Sequence, residues 1–328
     1  MAKKIMENTG RGAGHIGPDE IPGTAGDENP GAAKSQVKKP RRAPIPRVLP
    51  VVEREEQAKP VKKHPEGTCQ LWLGLVLVGI VGLLSLISVF YTPYDVYAMD
   101  TASRFLPPSL THFFGTDNYG RDVFSRAMTG AGFTLFVAFA TVASSTLISI
   151  VIGLISGYAG GIVDEILMRL LDAVSSFPGI LIALVIVSVM NNGKYTIILA
   201  LCIMFIPSFS RIVRTGTLQY KDAGFVRNAR VFGASAPRLL FVYILPNIFP
   251  ILLSSVVIGL SNAILAESGM SYLGLGIQPP IPSLGRMLYE AQNIILRAPW
   301  CALAPGLVIV TTIAGFHCIG EGLRKRYL

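Results

Sequence analysis

Residues able to do chemistry are scarce in this chain, and their spacing rules out most catalytic readings. A phosphate-cradling loop needs G-x-x-x-x-G-K-[ST]. The only Gly-Lys pair, Gly193 and Lys194, is followed by Tyr195 and has Ser188 where the first glycine belongs, so ATP phosphates find no cradle here. There is no H-E-x-x-H, no G-x-S-x-G, and no serine at a recognisable distance from a histidine, which argues against a membrane-embedded hydrolase. Cys69, Cys202, Cys301 and Cys318 share no C-x-x-C spacing and read as packing residues. His317 and Cys318 are neighbours, and on a helix their side chains point about 100° apart, which makes a poor ligand pair. The expectation is therefore no catalytic residue, no metal site and no cofactor held by this chain.

What remains is polar chemistry set into apolar surroundings. Asn262, Glu267 and Ser268 stand at the end of a long apolar run, where polar side chains are costly unless satisfied. They are candidates for lining a solute pathway; equally, Glu267 could mark the water interface. Asp164, Glu165, Arg169 and Asp172 form a second group. Arg169 is four residues after Glu165 and three before Asp172, so the three can share one helix face as paired charges, with a pathway role as the alternative. The third group is the largest: residues 219–246, QYKDAGFVRNARVFGASAPRLLFVYILP, a basic island between apolar runs.

These groups must be positioned by membrane spans. The 328 residues are 51% hydrophobic and 15% charged, with a mean hydropathy of +0.52, whereas a soluble domain carries about 25% charged residues. A helix crossing the ~30 Å hydrocarbon layer needs about 20 apolar residues, and several runs reach that length. The period-two alternation of a membrane barrel is absent, so an all-α polytopic membrane protein is expected. The predicted spans are 71–91, 133–158, 162–190, 195–217, 248–266 and 302–319, six helices forming one transmembrane domain over 71–328. Trp72 and Tyr91 flank the first at the interfacial positions, and Gly153 and Gly157 give the second a G-x-x-x-G packing face.

Residues 1–70 are rich in Gly, Pro, Lys and Glu and are expected to be a disordered or loosely ordered tail, not a signal peptide. The net charge of +9 could suggest nucleic acid, but the basic residues cluster in this tail and between spans, where they set orientation. Placing the tail, the turn after 158, the island and the C-terminus on the cytoplasmic side puts 23 of the 29 Lys and Arg there. Both termini and the island are therefore expected to be cytoplasmic, and the loops 92–125 and 267–301 to face outward.

The island has internal order. A short helix over 225–232 is expected, then a bend at Gly233, then a second short helix opened by Pro237 and stopped by Pro246, with Leu240, Ile244 and Leu245 near one face. Two short helices meeting at a glycine make a compact knob suited to a groove in a partner protein.

FVRNARVFGASAPRLLFVYILPN resembles the cytoplasmic coupling loop of the permease subunits of bacterial ABC importers, with Ala229, Gly233, Leu245 and Pro246 at matching spacing. FGTDNYGRDVFSR at 114–126, AILAESGMSYLGLGIQPPIPSLGRML at 263–288 and APWCALAPGL at 298–307 extend the resemblance to the C-type permease of dipeptide, oligopeptide, nickel and metallophore importers. The resemblance covers about 71–326. It implies that Phe225, Arg227, Asn228, Ala229, Phe232, Gly233, Ala234, Ser235, Leu245 and Pro246 carry the coupling to an ATPase. It further implies a second homologous permease, two ATP-binding subunits that hold the ATP and magnesium, an extracytoplasmic substrate-binding protein, and a place in the bacterial cytoplasmic membrane. The sequence departs from the family where its acidic residue falls, at Arg227, with Asn228 in place of the following alanine. A self-sufficient secondary transporter is the alternative. It would show paired internal repeats and mid-membrane charges, which are not evident.

Overall fold

The computed structural model describes residues 65–190 and 193–327, so the tail predicted over 1–70 lies outside the described residues up to residue 64. Among the described residues the protein is all helical, with no strand. Its elements are α1 (Pro65–Phe90), α2 (Val123–Ala159), α3 (Gly161–Ser175), α4 (Gly179–Val189), α5 (Lys194–Tyr220), α6 (Gly224–Val231), α7 (Ala236–Tyr272), α8 (Leu284–Ala291) and α9 (Trp300–Tyr327).

Five of these helices, α1, α2, α5, α7 and α9, are long and apolar enough to cross a bilayer, and α3 with α4 make a bent pair of comparable character. The single helix expected over 162–190 is in fact broken by 80° around Pro178. The residue before a proline is pushed out of the α region, and the proline itself offers no N–H, so the helix ends at Ser175 and restarts at Gly179.

A second difference concerns Pro246. It does not stop the helix; the island's second helix and the fifth span are one element, α7. A proline ring in a regular helix collides with the carbonyl four residues back. Here the preceding turn, Leu239–Ile244, widens to π geometry, and the Leu245 N–H donates to the Leu240 carbonyl, five residues back. The wider turn lets the chain pass the proline without ending.

α2 runs along α5, while α9 packs on α1 and α7. The α2–α5 contact is close because small residues line it. A Cβ at Gly153 would stand 2.7 Å from the Ser210 carbonyl oxygen, and one at Gly157 would stand 2.6 Å from Thr217 Cβ. The G-x-x-x-G face therefore seats α5 directly on the α2 backbone. Ser149 adds a hydroxyl bond of 3.0 Å to the Ile206 carbonyl across the same seam.

Three apolar clusters hold the bundle. One joins α1, α2, α5, α7, α8 and α9; a second gathers Val137, Ala183, Val187, Ile197 and Met270; the third lies under the island.

Candidate functional site

α6 begins after Ala223 and buries Val226 and Ala229. Its C-terminus is closed by backbone geometry: Gly233 has φ +84, its N–H donates to the Arg230 carbonyl, and the Ala234 N–H reaches back to Ala229, both at 3.0 Å. This pair of bonds is a Schellman motif, and the left-handed residue it requires is at home as glycine. α7 follows at once, with Pro237 in its first turn, and buries Leu239, Leu240 and Ile244.

The buried residues of both helices join one cluster with Leu154 of α2, Val213 of α5, and Ile248 and Leu252 of α7. The knob is therefore built into the ends of three long helices. Tyr220 packs on Phe225 with ring centres 6.4 Å apart, and the Arg230 guanidinium lies 5.8 Å from the Tyr158 ring.

The residues predicted for coupling divide by exposure. Phe225, Arg227, Asn228, Gly233, Ser235 and Pro246 are exposed, Ala234 and Leu245 are half-buried, and Ala229 is buried. Val231 and Phe232 project furthest, at 84% and 90% exposed. The exposed residues between Phe225 and Ser235 lie on α6 and the turn after it, whereas Leu245 and Pro246 lie further along α7.

The predicted pathway residues do not form one group. Asn262 is exposed on α7, whereas Glu267 and Ser268 are buried at 0% and 4%. Glu267 does not mark a water interface. Its carboxylate accepts a 2.8 Å bond from the Ser271 hydroxyl, and Ser268, Thr134 and Ser283 surround it. A five-residue offset on a helix turns Glu267 about 140° from Asn262, which explains why one faces the interior and the other does not. The hydroxyls from α2, α7 and the segment before α8 make Glu267 a fastening between elements.

Sequence spacing placed Glu165, Arg169 and Asp172 on one helix face as paired charges, and the structure corrects this in part. Arg169 pairs with Glu165 at 2.6 Å, but Asp172 accepts from Arg211 of α5 at 2.7 Å. Asp164 receives a two-pronged bond from Arg214, both prongs at 2.6 Å, and a further bond from Ser156. Partners 50 residues apart leave no periodic signal.

At the opposite end of α2 lies a network that sequence reading missed. Arg126, 4% exposed, reaches Glu290 at 2.9 Å and Asp117 at 3.4 Å; Arg121 bridges the same two acids, Asp117 at 2.7 Å and Glu290 at 2.9 Å. Asp122 caps α2 through the Ser125 N–H at 2.7 Å and holds His112 at 2.9 Å. The Ser103 hydroxyl, with the Ala102 N–H, keeps the Asp100 carboxyl below the ordinary carboxylate range. Together these contacts pin the segment between α1 and α2 onto α8.

Residues 149–327 match the family described as binding-protein-dependent transport system inner membrane component. The chain is 36% identical to the dipeptide transport system permease of Haemophilus influenzae over 77% of its own length and 88% of the relative's. It is 34% identical to the oligopeptide transport system permease of Bacillus subtilis, covering 77% of this chain and 83% of that one. With the glutathione transport system permease of Salmonella typhimurium it shares 37% identity over 87% and 95% of the two chains. Among solved structures, a chain of the MetNI methionine ABC transporter in inward-facing form matches with a TM-score of 0.48 and 18% identity, over 59% of this chain and 94% of that one. By its family match and by this degree of identity over most of its relatives' length, the chain belongs to the family of binding-protein-dependent transport system inner membrane components.

Proposed function

We propose that this chain is the permease subunit of an ATP-driven importer of peptides or a related small solute, and that residues 219–246 couple it to a cytoplasmic ATPase. The observation that carries the coupling role is the shared core of α6, the start of α7 and the ends of α2 and α5. A force on the exposed tip moves those helices because packed side chains transmit displacement with little compression. The permease relatives of dipeptide, oligopeptide and glutathione systems support the substrate class.

In this reading the chain forms half of the pathway beside a second, homologous permease. Two ATP-binding subunits hold ATP and magnesium, and an extracytoplasmic binding protein delivers solute. The excess of Lys and Arg in the tail, the island and the C-terminus supports a cytoplasmic location for both termini in the bacterial inner membrane. Closure of the ATPases favours one arrangement of the helices over another and so rocks the bundle between inward-open and outward-open states. Asn262, exposed on α7, is the pathway residue of this reading; Glu267 and Ser268 act by holding α7 to α2.

The test is peptide uptake into vesicles carrying this chain with its co-purified subunits. Uptake that requires ATP inside the vesicle and the binding protein outside is the expected result. Uptake driven by an ion gradient without nucleotide would overturn the reading in favour of a secondary transporter.

A further inference from the structure

The knob offers both its most apolar and its most basic side chains on one surface. On α6, Arg227 and Val231 are four residues apart on the face opposite buried Val226 and Ala229. Phe232 follows at the tip, 90% exposed, and the small residues Gly233, Ala234 and Ser235 leave the backbone beside it open. A Cβ at Gly233 would meet nothing within 4 Å.

Three arginines of the knob are exposed: Arg227 on the outer face of α6, Arg230 beside the Tyr158 ring, and Arg238 in the first turn of α7. None of them forms an ion pair among the described residues, and Asp222 is the only acid between residues 219 and 246. Guanidinium groups suit carboxylates, which they bind through two parallel bonds. An exposed Phe beside an exposed Val is costly in water unless a partner covers it.

We infer, building on the coupling role proposed above, that the knob is an arginine-rimmed apolar plug whose partner is the ATP-binding subunit. The matching pocket in that subunit has an apolar floor for Val231 and Phe232 and carboxylates opposite Arg227 and its neighbours. The polarity is thus cation on the permease and anion on the ATPase. This would restrict the chain to ATPases with an acidic rim.

A membrane-seated element of the same composition would be arranged differently. An interfacial helix lies flat with its apolar face outward. α6 instead turns Val226 and Ala229 into the core and presents its charged face, leaving a narrow apolar tip that fits a pocket.

The experiment uses the full chain in phosphatidylcholine nanodiscs with its partner permease, from which the ATP-binding subunits of the purified transporter have been stripped and then re-added. Native binding is expected to weaken steeply with salt. Arg227→Glu should lower affinity about tenfold and flatten that salt dependence, while Arg227→Lys retains it. Phe232→Ala should reduce binding at every salt concentration.

Unchanged affinity and salt dependence in Arg227→Glu, with Phe232→Ala still impaired, would overturn the charge assignment and leave the coupling role standing. Native binding by Phe232→Ala and by a variant that combines Arg227→Glu with Phe232→Ala would overturn both. A Phe232→Trp reporter in the ATPase-free permease pair provides a separate check. Its emission should match in phosphatidylcholine and phosphatidylglycerol discs; a blue shift confined to the anionic discs would place the knob on lipid and overturn the proposal.

Discussion

The surface proposed for coupling depends on one backbone angle. Gly233 holds φ +84 at the point where α6 turns into α7, and no neighbouring atom restricts a side chain there. The penalty for another residue is therefore conformational, about 1–2 kcal/mol for an L-residue in the left-handed region, and larger when the residue is β-branched. Gly233→Val should abolish solute-stimulated ATP hydrolysis while leaving membrane insertion intact. Gly233→Asn should keep most of the stimulation, because asparagine tolerates the left-handed region. Normal stimulation in the valine variant, measured in reconstituted vesicles, would remove the turn from the coupling role.

At the level of elements, the decisive contact is α2 against α5. Gly153 has the Ser210 carbonyl oxygen 2.7 Å from where a Cβ would stand, and that atom belongs to the backbone and cannot move aside alone. Gly153→Leu should therefore separate the helices and lower the thermal unfolding midpoint in detergent, with overpacking costing about 1–3 kcal/mol or more. Gly79→Leu on α1 is the control: nothing lies within 4 Å of its Cβ position, and its midpoint should not fall. Equal loss in both would mean that leucine in a span is harmful whatever it meets. The π turn before Pro246 is a second element-level feature. It lets α7 continue from knob to span without interruption, so displacement of the tip enters the span along a single helix.

Across the whole molecule, α2 joins two ends that do different work. At one end its Leu154 supports the knob; at the other, Arg126 ties α2 to Asp117 and Glu290. Removing one member of a buried charged network leaves its partners desolvated, a loss of about 3–5 kcal/mol when fully enclosed. Glu290 is 20% exposed and keeps Arg121 and Arg286, so Arg126→Met should cost less, about 1–3 kcal/mol. The loss should appear as faster hydrogen exchange across 284–294 with the knob unaffected. Unchanged exchange there would show that the network does not hold α8 in place.

The sequence alone determined the all-helical membrane architecture, the location of the basic island, the bend at Gly233 and the helix opened by Pro237. Each of these rests on local physics: run length against bilayer thickness, the positional habits of glycine and proline, and the clustering of Lys and Arg. The family resemblance was legible for the same reason, since its motifs are short contiguous strings. Only the tertiary structure decided that Pro246 is passed and that Pro178 breaks its helix, because a proline's effect depends on whether the surrounding turns can widen. It also decided that Glu267 is enclosed by hydroxyls from three segments, and that Asp164 and Asp172 belong to arginines of α5. Those pairings bring together residues remote in the chain, and periodicity carries no information about which distant side chains a packed bundle places in reach.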